Sequence, residues 1–220
     1  MFNQLGTSIK ITLVLLVIVS GIYPLAVWGV SQVLLPRQAN GSLVKSSSGA
    51  IVGSTLIGQG FTKPEYFHPR PSAAGSGYDP TQSSGTNLGP TSDKLINGVH
   101  KKLANGKDDP NNFDGVKDLA AAYRTENGLS ATARVPVDAV TRSASGLDPD
   151  ISIENARVQA ARVAKARNTD VSAITRLIDK TAHGRDLGFL GEPRVNVLSV
   201  NLALDQEYPL NKSLVKPGAK

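Results

Sequence analysis

The sequence predicts an α+β protein with one transmembrane helix near its N-terminus, followed by a single soluble domain of mixed helices and strands. The 26 residues between Lys10 and Arg37 carry no charge, and roughly 20 apolar residues are enough to span a bilayer. The remainder, about 180 residues, has the length of one domain. Helix and strand patterns mix there without a repeating β-α-β order, which favours α+β over a doubly wound α/β sheet.

Composition excludes several functional classes. The 220 residues include no cysteine, so disulfides, thiolate metal sites and a cysteine nucleophile are ruled out. Basic residues outnumber acidic ones by 24 to 18, but they form no dense tract with interleaved aromatic residues, as a nucleic-acid groove requires. We therefore expect the lipid bilayer as a partner and no nucleic acid.

The apolar run divides the chain into four predicted parts. The alternative to a transmembrane helix in this run is a cleaved signal peptide, whose apolar core is usually shorter and ends at small residues. Here the apolar character resumes after Pro24 and continues to Leu35, which favours a retained anchor. The predicted parts are a short tail (1–10), a transmembrane helix (11–35), a connector (36–50) and the soluble domain (51–220).

Three residues of the anchor, Gly21, Pro24 and Gly29, suggest that it packs against other helices. Small residues allow helix backbones to approach closely, and a proline frees a carbonyl that a neighbour can satisfy. The alternative is a lone anchor that tolerates its glycines. Flanking charge does not decide the orientation, because Lys10 on one side is balanced by Arg37 and Lys45 on the other.

The soluble part shows a strand pattern, a long irregular segment and then helices. Residues 58–90 are rich in glycine, proline, serine and asparagine but also hold aromatic residues, which predicts an ordered loop pinned to a surface. The regular elements predicted from periodicity and capping are a strand at 51–57, a helix from Ser92 to Gly106, a short helix at 119–123, helices at 151–167 and from Thr169 or Asp170 to Gly184, and a strand at 195–200.

No catalytic set and no metal site is predicted. His68, His100 and His183 lack metal-ligand spacing, and no phosphate-binding loop or nucleophile elbow is present. The segment 143–148 is predicted to precede the helix that carries Gln159, and a helix N-terminus favours anions. It could hold a phosphate or an acidic partner; ordinary capping is the alternative.

Several longer strings identify the chain as similar to the C subunits (KdpC) of the bacterial Kdp potassium-transporting P-type ATPase. They occur in the order expected of that family and cover nearly the whole chain. Only the segment 105–128 is longer than the resemblance leads us to expect. The strings are Gly21–Pro24, Gly53–Gln59 with Phe61, Tyr66–Ser72, Ser84–Pro90, Val135–Val137, Ser143–Asp148, Arg162–Arg167, Val195–Val197 and Asn201–Leu204.

The resemblance implies a non-catalytic accessory subunit of an ATP-driven, high-affinity potassium importer in the bacterial inner membrane. Its partners would be the potassium-translocating and ATP-hydrolysing subunits, and it would assist assembly and raise the ATP affinity of the latter as a catalytic chaperone. The soluble domain would be extracytoplasmic, with no cofactor of its own and ATP reached only through the complex. A domain outside cannot touch cytoplasmic ATP, so the effect would be a coupling free energy through the membrane helices.

Two hypotheses remain open. In the first, the chain is an assembly and regulatory subunit whose aromatic loop docks on a partner through Tyr66, Phe67, His68 and Arg70. In the second, it is a nucleotide-binding regulator that contacts ATP directly. The resemblance attaches that role to Ser145, Gly146 and Gln159.

Overall fold

The computed structural model describes residues 2–46 and 49–210. Contacts divide the chain into two compact units, with the boundary between Ser54 and Thr55. The N-terminal unit contains the anchor and a small hairpin. The C-terminal unit contains the soluble α+β domain, so the predicted fold class is confirmed.

The anchor is one helical rod with a change of pitch in its middle. Helix α1 (Phe2–Val17) passes through a π-helical turn (Ile18–Ile22) into α2 (Tyr23–Leu34). The Tyr23 amide donates to the Ile18 carbonyl, five residues back, just before Pro24, which has no amide hydrogen to donate. Residues 4–34 form a helix long and apolar enough to cross a membrane. The helix extends toward the N-terminus beyond the predicted membrane-spanning segment 11–35, whose bounds stay a prediction.

A short helix and a hairpin follow the anchor. Helix α3 (Pro36–Ala39) leads into β1 (Leu43–Lys45), which pairs antiparallel with β2 (Ile51–Ser54). The Ser54 hydroxyl donates to the Gly41 carbonyl at 2.7 Å and ties the end of the hairpin to its beginning. The region predicted as a connector thus contains regular structure.

The soluble unit is a layer of helices on a small antiparallel sheet with strand order β3-β5-β4. Its elements are α4 (Asp93–Asn97), α5 (Val116–Glu126), a 3₁₀ turn (Val137–Ala139), β3 (Asp150–Ser152), α6 (Ile153–Ala166), α7 (Val171–Thr181), β4 (Ala182–His183), β5 (Arg194–Asn196) and α8 (Val197–Glu207).

The main core lies between α6, α7, α8 and the sheet. Helix α7 has a strongly amphipathic pattern, and its apolar face is buried against its two neighbouring helices. The loop residue Phe67 joins this core with no exposed surface. A second, smaller cluster forms around Tyr123 of α5, Ala139 and Val140.

Several predicted elements have the wrong extent, and in three of them a cap or a pairing overrides periodicity. The helix predicted at 151–167 begins at Ile153, since Ser152 accepts a hydrogen bond from the Asn155 amide and Ile151 pairs with Val195 in the sheet. The strand predicted at 195–200 ends at Asn196, which caps α8 in the same way.

The helix predicted from Ser92 to Gly106 is α4 alone. Gly98, with φ of +79°, ends it. Val99 then pairs with Phe113 across an antiparallel bridge. The apolar residues with helix-like spacing therefore belong to two different structures, the helix α4 and the bridge that follows it.

Candidate functional site

The candidate site is the long loop of residues 55–92, which has neither helix nor strand and is held on the domain by side chains. A loop of this length in a compact domain is usually functional. Its backbone polar groups need partners, and the helices α6 and α8 supply them. We call this segment the pinned loop.

Two buried side-chain amides each form two hydrogen bonds with the backbone of one residue of the pinned loop, and the two loop residues are successive. Asn201 of α8 accepts from the Phe67 amide at 2.8 Å and donates to the Phe67 carbonyl at 3.0 Å. Gln159 of α6 accepts from the His68 amide at 2.7 Å and donates to the His68 carbonyl at 3.0 Å. The two side chains thereby replace the neighbouring strand that an extended segment would otherwise need. We call them the amide clasps.

The Gln159 clasp is part of a network of hydrogen bonds among buried polar side chains. Its amide nitrogen also donates to Asn155, which accepts in addition from the Tyr123 hydroxyl, and Asn155 donates to Asp138. Burial is the largest cause that raises the pKa of Tyr123, so its hydroxyl stays a donor. Among the described residues, every buried side-chain nitrogen and oxygen has a partner. Such networks fix one conformation.

Two arginines donate hydrogen bonds to backbone carbonyls of the loop just before the clasps. Arg162 donates to the carbonyls of Pro64 and Tyr66 at 2.7 and 3.0 Å and to Gln159 at 2.8 Å. Arg167 donates to the carbonyl of Glu65 at 2.8 Å. The planar guanidinium suits such multiple contacts.

Arg167 also joins the loop to the end of α8. Its side chain has no exposed surface and pairs with Asp205 at 2.8 Å. It donates to the carbonyls of Leu204 and Tyr208 and lies over the ring of Tyr66, 5.0 Å from its centre. The Tyr66 hydroxyl donates to the same Asp205.

At His68 and Arg70, two side-chain contacts hold the loop to other elements. His68 Nδ1 lies 2.5 Å from Glu126 of α5, and Arg70 lies 2.7 Å from Asp148. A groove of about 450 Å³ runs between this part of the loop and α5. The hydrogen bond with His68 is the main cause that lowers the pKa of Glu126, and the charge of Arg162 adds to it.

This shift predicts a stability difference that depends on pH. A carboxylate with a lowered folded-state pKa stabilises fully above its unfolded pKa, here near 4.5, and loses that contribution as pH falls through the folded value. We expect Glu126→Gln to lower the free energy of unfolding at pH 7 by about 1 kcal/mol or less, since the side chain is 38% exposed. Thermal melts at pH 7 and pH 3.5 should show the difference shrinking at the lower pH. Glu154→Gln, which alters an exposed glutamate of α6, is the control, and a Glu126→Gln difference that does not change with pH would contradict the assignment.

The segment 143–148 forms the other support of the pinned loop. The Ser145 carbonyl accepts from the Ser84 amide and the Ser83 hydroxyl, and the Gly146 carbonyl accepts from Ser72 at 2.7 Å. Gly146 has φ of +67°, and an added Cβ would lie 2.6 Å from the Ser84 carbonyl oxygen. Only glycine fits that close approach. The segment does not directly precede a helix as predicted, because β3 lies between it and α6.

The predicted site residues fall into different environments. Gln159 is 1% exposed, and both ends of its amide are used in the clasp, so it offers no free atom to a nucleotide in this conformation. Ser145 is exposed and Gly146 is buried against the loop. Of the predicted docking residues, Phe67 is fully buried and has no surface for a partner, which corrects its assignment. Tyr66, His68 and Arg70 are partly exposed.

Sequence reasoning missed the residues that hold the loop. Arg162 and Arg167 were predicted only as basic residues of the helix at 151–167 and as part of a family string, Asn201 only as part of a family string, and Asp205 was assigned no role. An arginine at the C-terminal end of an alanine-rich helix reads as a surface charge, so the sequence contains no signal for a partner 102 residues away.

The fold and the site together define a membrane-anchored protein whose soluble domain uses its buried polar side chains to hold its own loop. The family model for KdpC, the c chain of the K⁺-transporting ATPase, matches residues 5–206. A potassium-transporting ATPase KdpC subunit of Mycobacterium tuberculosis is 50% identical over 206 residues, which is 94% of this chain and all of the relative. Subunits of the same name from Caulobacter sp. K31 (53% over 187 residues, 85% of each chain) and Myxococcus xanthus (49% over 212 residues, 94% of this chain and 90% of the relative) are also similar. The chain belongs to the KdpC family, and the resemblance drawn from its motifs is confirmed.

Proposed function

We propose that this chain is a non-catalytic accessory subunit of an ATP-driven potassium importer. It assembles with the potassium-translocating and ATP-hydrolysing subunits and acts as a catalytic chaperone that raises the ATP affinity of the latter. The observation that carries the proposal is the family match over residues 5–206, because it includes both the anchor and the soluble domain.

The anchor supports assembly with other membrane helices. Its apolar side chains are exposed along its length. A Cβ added at Gly21 or Gly29 would meet no other atom within 4 Å, so both glycines leave room for a neighbouring backbone. The π turn before Pro24 exposes irregular backbone that a packed neighbour can satisfy.

The soluble domain is assigned to the extracytoplasmic side, with Tyr66, His68 and Arg70 facing a partner subunit. On that side the soluble domain does not meet ATP. The hydrogen bonds of Gln159 with His68 agree with this placement, because they give Gln159 a structural role inside the domain. The chaperone effect then arises because the chain binds more tightly to the high-affinity conformation of its partners. By linkage, ATP binding strengthens assembly by the same factor.

The test uses inside-out vesicles that contain the two large subunits with or without this chain. We expect the chain to lower the KM for ATP by at least about fivefold, a typical coupling, and protease added outside to leave the soluble domain intact. An unchanged KM with the chain bound would reject the chaperone role. Rapid digestion of the domain in sealed vesicles would reject the placement.

A matched pair of variants tests the anchor in the same vesicles. Gly21→Leu combined with Gly29→Leu should reduce copurification with the large subunits severalfold, because leucine fills the space left for a neighbour. Ser31→Leu introduces a single leucine about 200° around the helix from Gly29 and should copurify like the wild type. Normal yield from the double variant would count against packing through the glycines.

A further inference from the structure

The segment between α4 and α5 folds back on itself and brings together three potential metal ligands. Val99 and Phe113 exchange two backbone hydrogen bonds of 2.8 and 2.9 Å, and Lys102 pairs with Asp108 further out. This short arm places His100 beside the start of α5. It includes part of the segment that is longer than the family resemblance leads us to expect.

The donor atoms of His100, Asp114 and Asp118 all lie within 4.8 Å of one another. His100 Nε2 is 2.9 Å from Asp118 Oδ2. Within the part of the chain that the structure describes, the Asp114 carboxylate has no hydrogen bond or ion pair of its own. One imidazole thus faces two carboxylates, of which that of Asp114 accepts no hydrogen bond among the described residues but interacts with the charge of Arg142.

Local structure fixes the backbone at each of the three positions. His100 and Asp114 each follow directly on a residue of the Val99–Phe113 bridge. Asp118 lies in the first turn of α5 and accepts from the Gly115 amide at 2.9 Å, which completes a helix cap. The ligands therefore do not depend on a mobile loop for their spacing.

Glycine at position 98 allows two of the donor atoms to pack closely against its backbone. A Cβ there would lie 2.3 Å from Asp118 Oδ2 and 2.8 Å from His100 Nε2. Gly98 also contacts Gly115, where an added Cβ would lie 2.3 Å from the Gly98 nitrogen. Any side chain at 98 would displace the two donor atoms from each other.

We propose that His100, Asp114 and Asp118 form a binding site for a divalent transition-metal ion, with Zn²⁺ the best match. Imidazole nitrogen with carboxylate oxygen suits Zn²⁺ and its neighbours better than Mg²⁺ or Ca²⁺, which prefer oxygen ligands alone. Three protein ligands leave a fourth position for water. Tetrahedral donors at about 2.0–2.1 Å from the ion stand about 3.3 Å apart, which partly exposed side chains reach by small rotations.

The electrostatic field at the site also favours a cation. Asp118 Oδ2 lies 2.9 Å from His100 Nε2, and Asp114 offers a second carboxylate within 4.8 Å of the same donor atoms. Lys94 and Arg142 lie over the ring of Phe113, and Arg142 also donates to the backbone carbonyl of Asp114 at 3.2 Å. A bound ion would neutralise the acidic pair and link the arm to α5.

The test uses the full-length chain in detergent, purified without a histidine tag and stripped with a chelator. We expect one equivalent of Zn²⁺ to bind saturably in competition with a chromogenic chelator, and Co²⁺ to give the visible absorption of a four-coordinate site. His100→Ala and Asp114→Asn should each weaken Zn²⁺ binding at least tenfold. Neither residue caps a helix, and melts without metal would show that both variants fold.

His183→Ala removes an exposed histidine outside the cluster and should bind Zn²⁺ like the wild type. Absence of saturable Zn²⁺ binding to the wild type would overturn the proposal. So would binding by His100→Ala as tight as that of the wild type, or an equal loss in His183→Ala, since either places the ion elsewhere.

Discussion

Arg167→Ala is expected to lower the free energy of unfolding of the soluble domain by about 3–5 kcal/mol, because it removes the donor of several partly buried carbonyl groups, at about 1–3 kcal/mol for each group left unsatisfied. The side chain is fully buried and donates to the carbonyls of Glu65, Leu204 and Tyr208. Its loss leaves the carbonyls of Glu65 and Tyr208 without this donor, while the Leu204 carbonyl keeps the Tyr208 amide. The 43% exposed Asp205 loses its counter-charge. Urea denaturation of the full-length chain in detergent, followed by far-UV circular dichroism, measures the change.

Arg157→Ala is the matched control for this prediction. Arg157 belongs to the same helical region, but its side chain is 57% exposed and makes one ion pair with the exposed Asp179. Such surface pairs contribute about 0–1 kcal/mol. If Arg167→Ala and Arg157→Ala cost the same, Arg167 does not hold the loop as its contacts indicate.

The second large effect is expected for Gln159→Ala, which should destabilise the domain by about 3 kcal/mol. The change leaves the amide and the carbonyl of His68 unsatisfied in the interior, at about 1–3 kcal/mol for each buried group. Asn155 and Arg162 lose a partner as well. Thermal melts should show the lower stability, and limited proteolysis should cut the pinned loop near His68 sooner than in the wild type.

Thermal melts of the wild type and of Gln159→Ala, with and without ATP, then distinguish a structural role of Gln159 from a role in nucleotide binding. A clasp predicts that ATP shifts the melting temperature of neither protein, and that Gln159→Ala melts lower in both conditions. Direct ATP binding through Ser145, Gly146 and Gln159 predicts a shift in the wild type that the variant loses. Gln82→Ala, which removes an exposed amide bonded to Asp79, should melt like the wild type.

The elements that could be predicted are those whose signal is local. The anchor follows from one uncharged run, and α7 follows from its apolar stripe, although the helix ends at Thr181 and not at the predicted Gly184. Prediction was less accurate where a short strand runs directly into a helix, as at Ser152 and Asn196. In both cases a single side chain changes the backbone from extended to helical, and periodicity over a window cannot locate such a point.

The candidate site was predicted as a segment but not as a structure. The density of glycine and proline with aromatic residues indicated an ordered loop at 58–90, and the loop is indeed held in place. Which residues hold it could not be derived, because Asn201 lies 134 residues from Phe67 and Gln159 lies 91 from His68. Phe67 was predicted to lie on the surface. An aromatic residue in a loop belongs to no periodic pattern that would show which way its side chain faces.

The sequence by itself determined that this chain has one membrane-spanning helix and an α+β domain, because length, charge and hydrophobic pattern act over neighbouring residues. The family strings added its membership in the KdpC family. Only the tertiary structure decided what the polar residues do. Burial makes an unpaired amide or guanidinium costly, so Gln159, Asn201 and Arg167 act through contacts with the pinned loop, and those contacts exist only once the helices have packed.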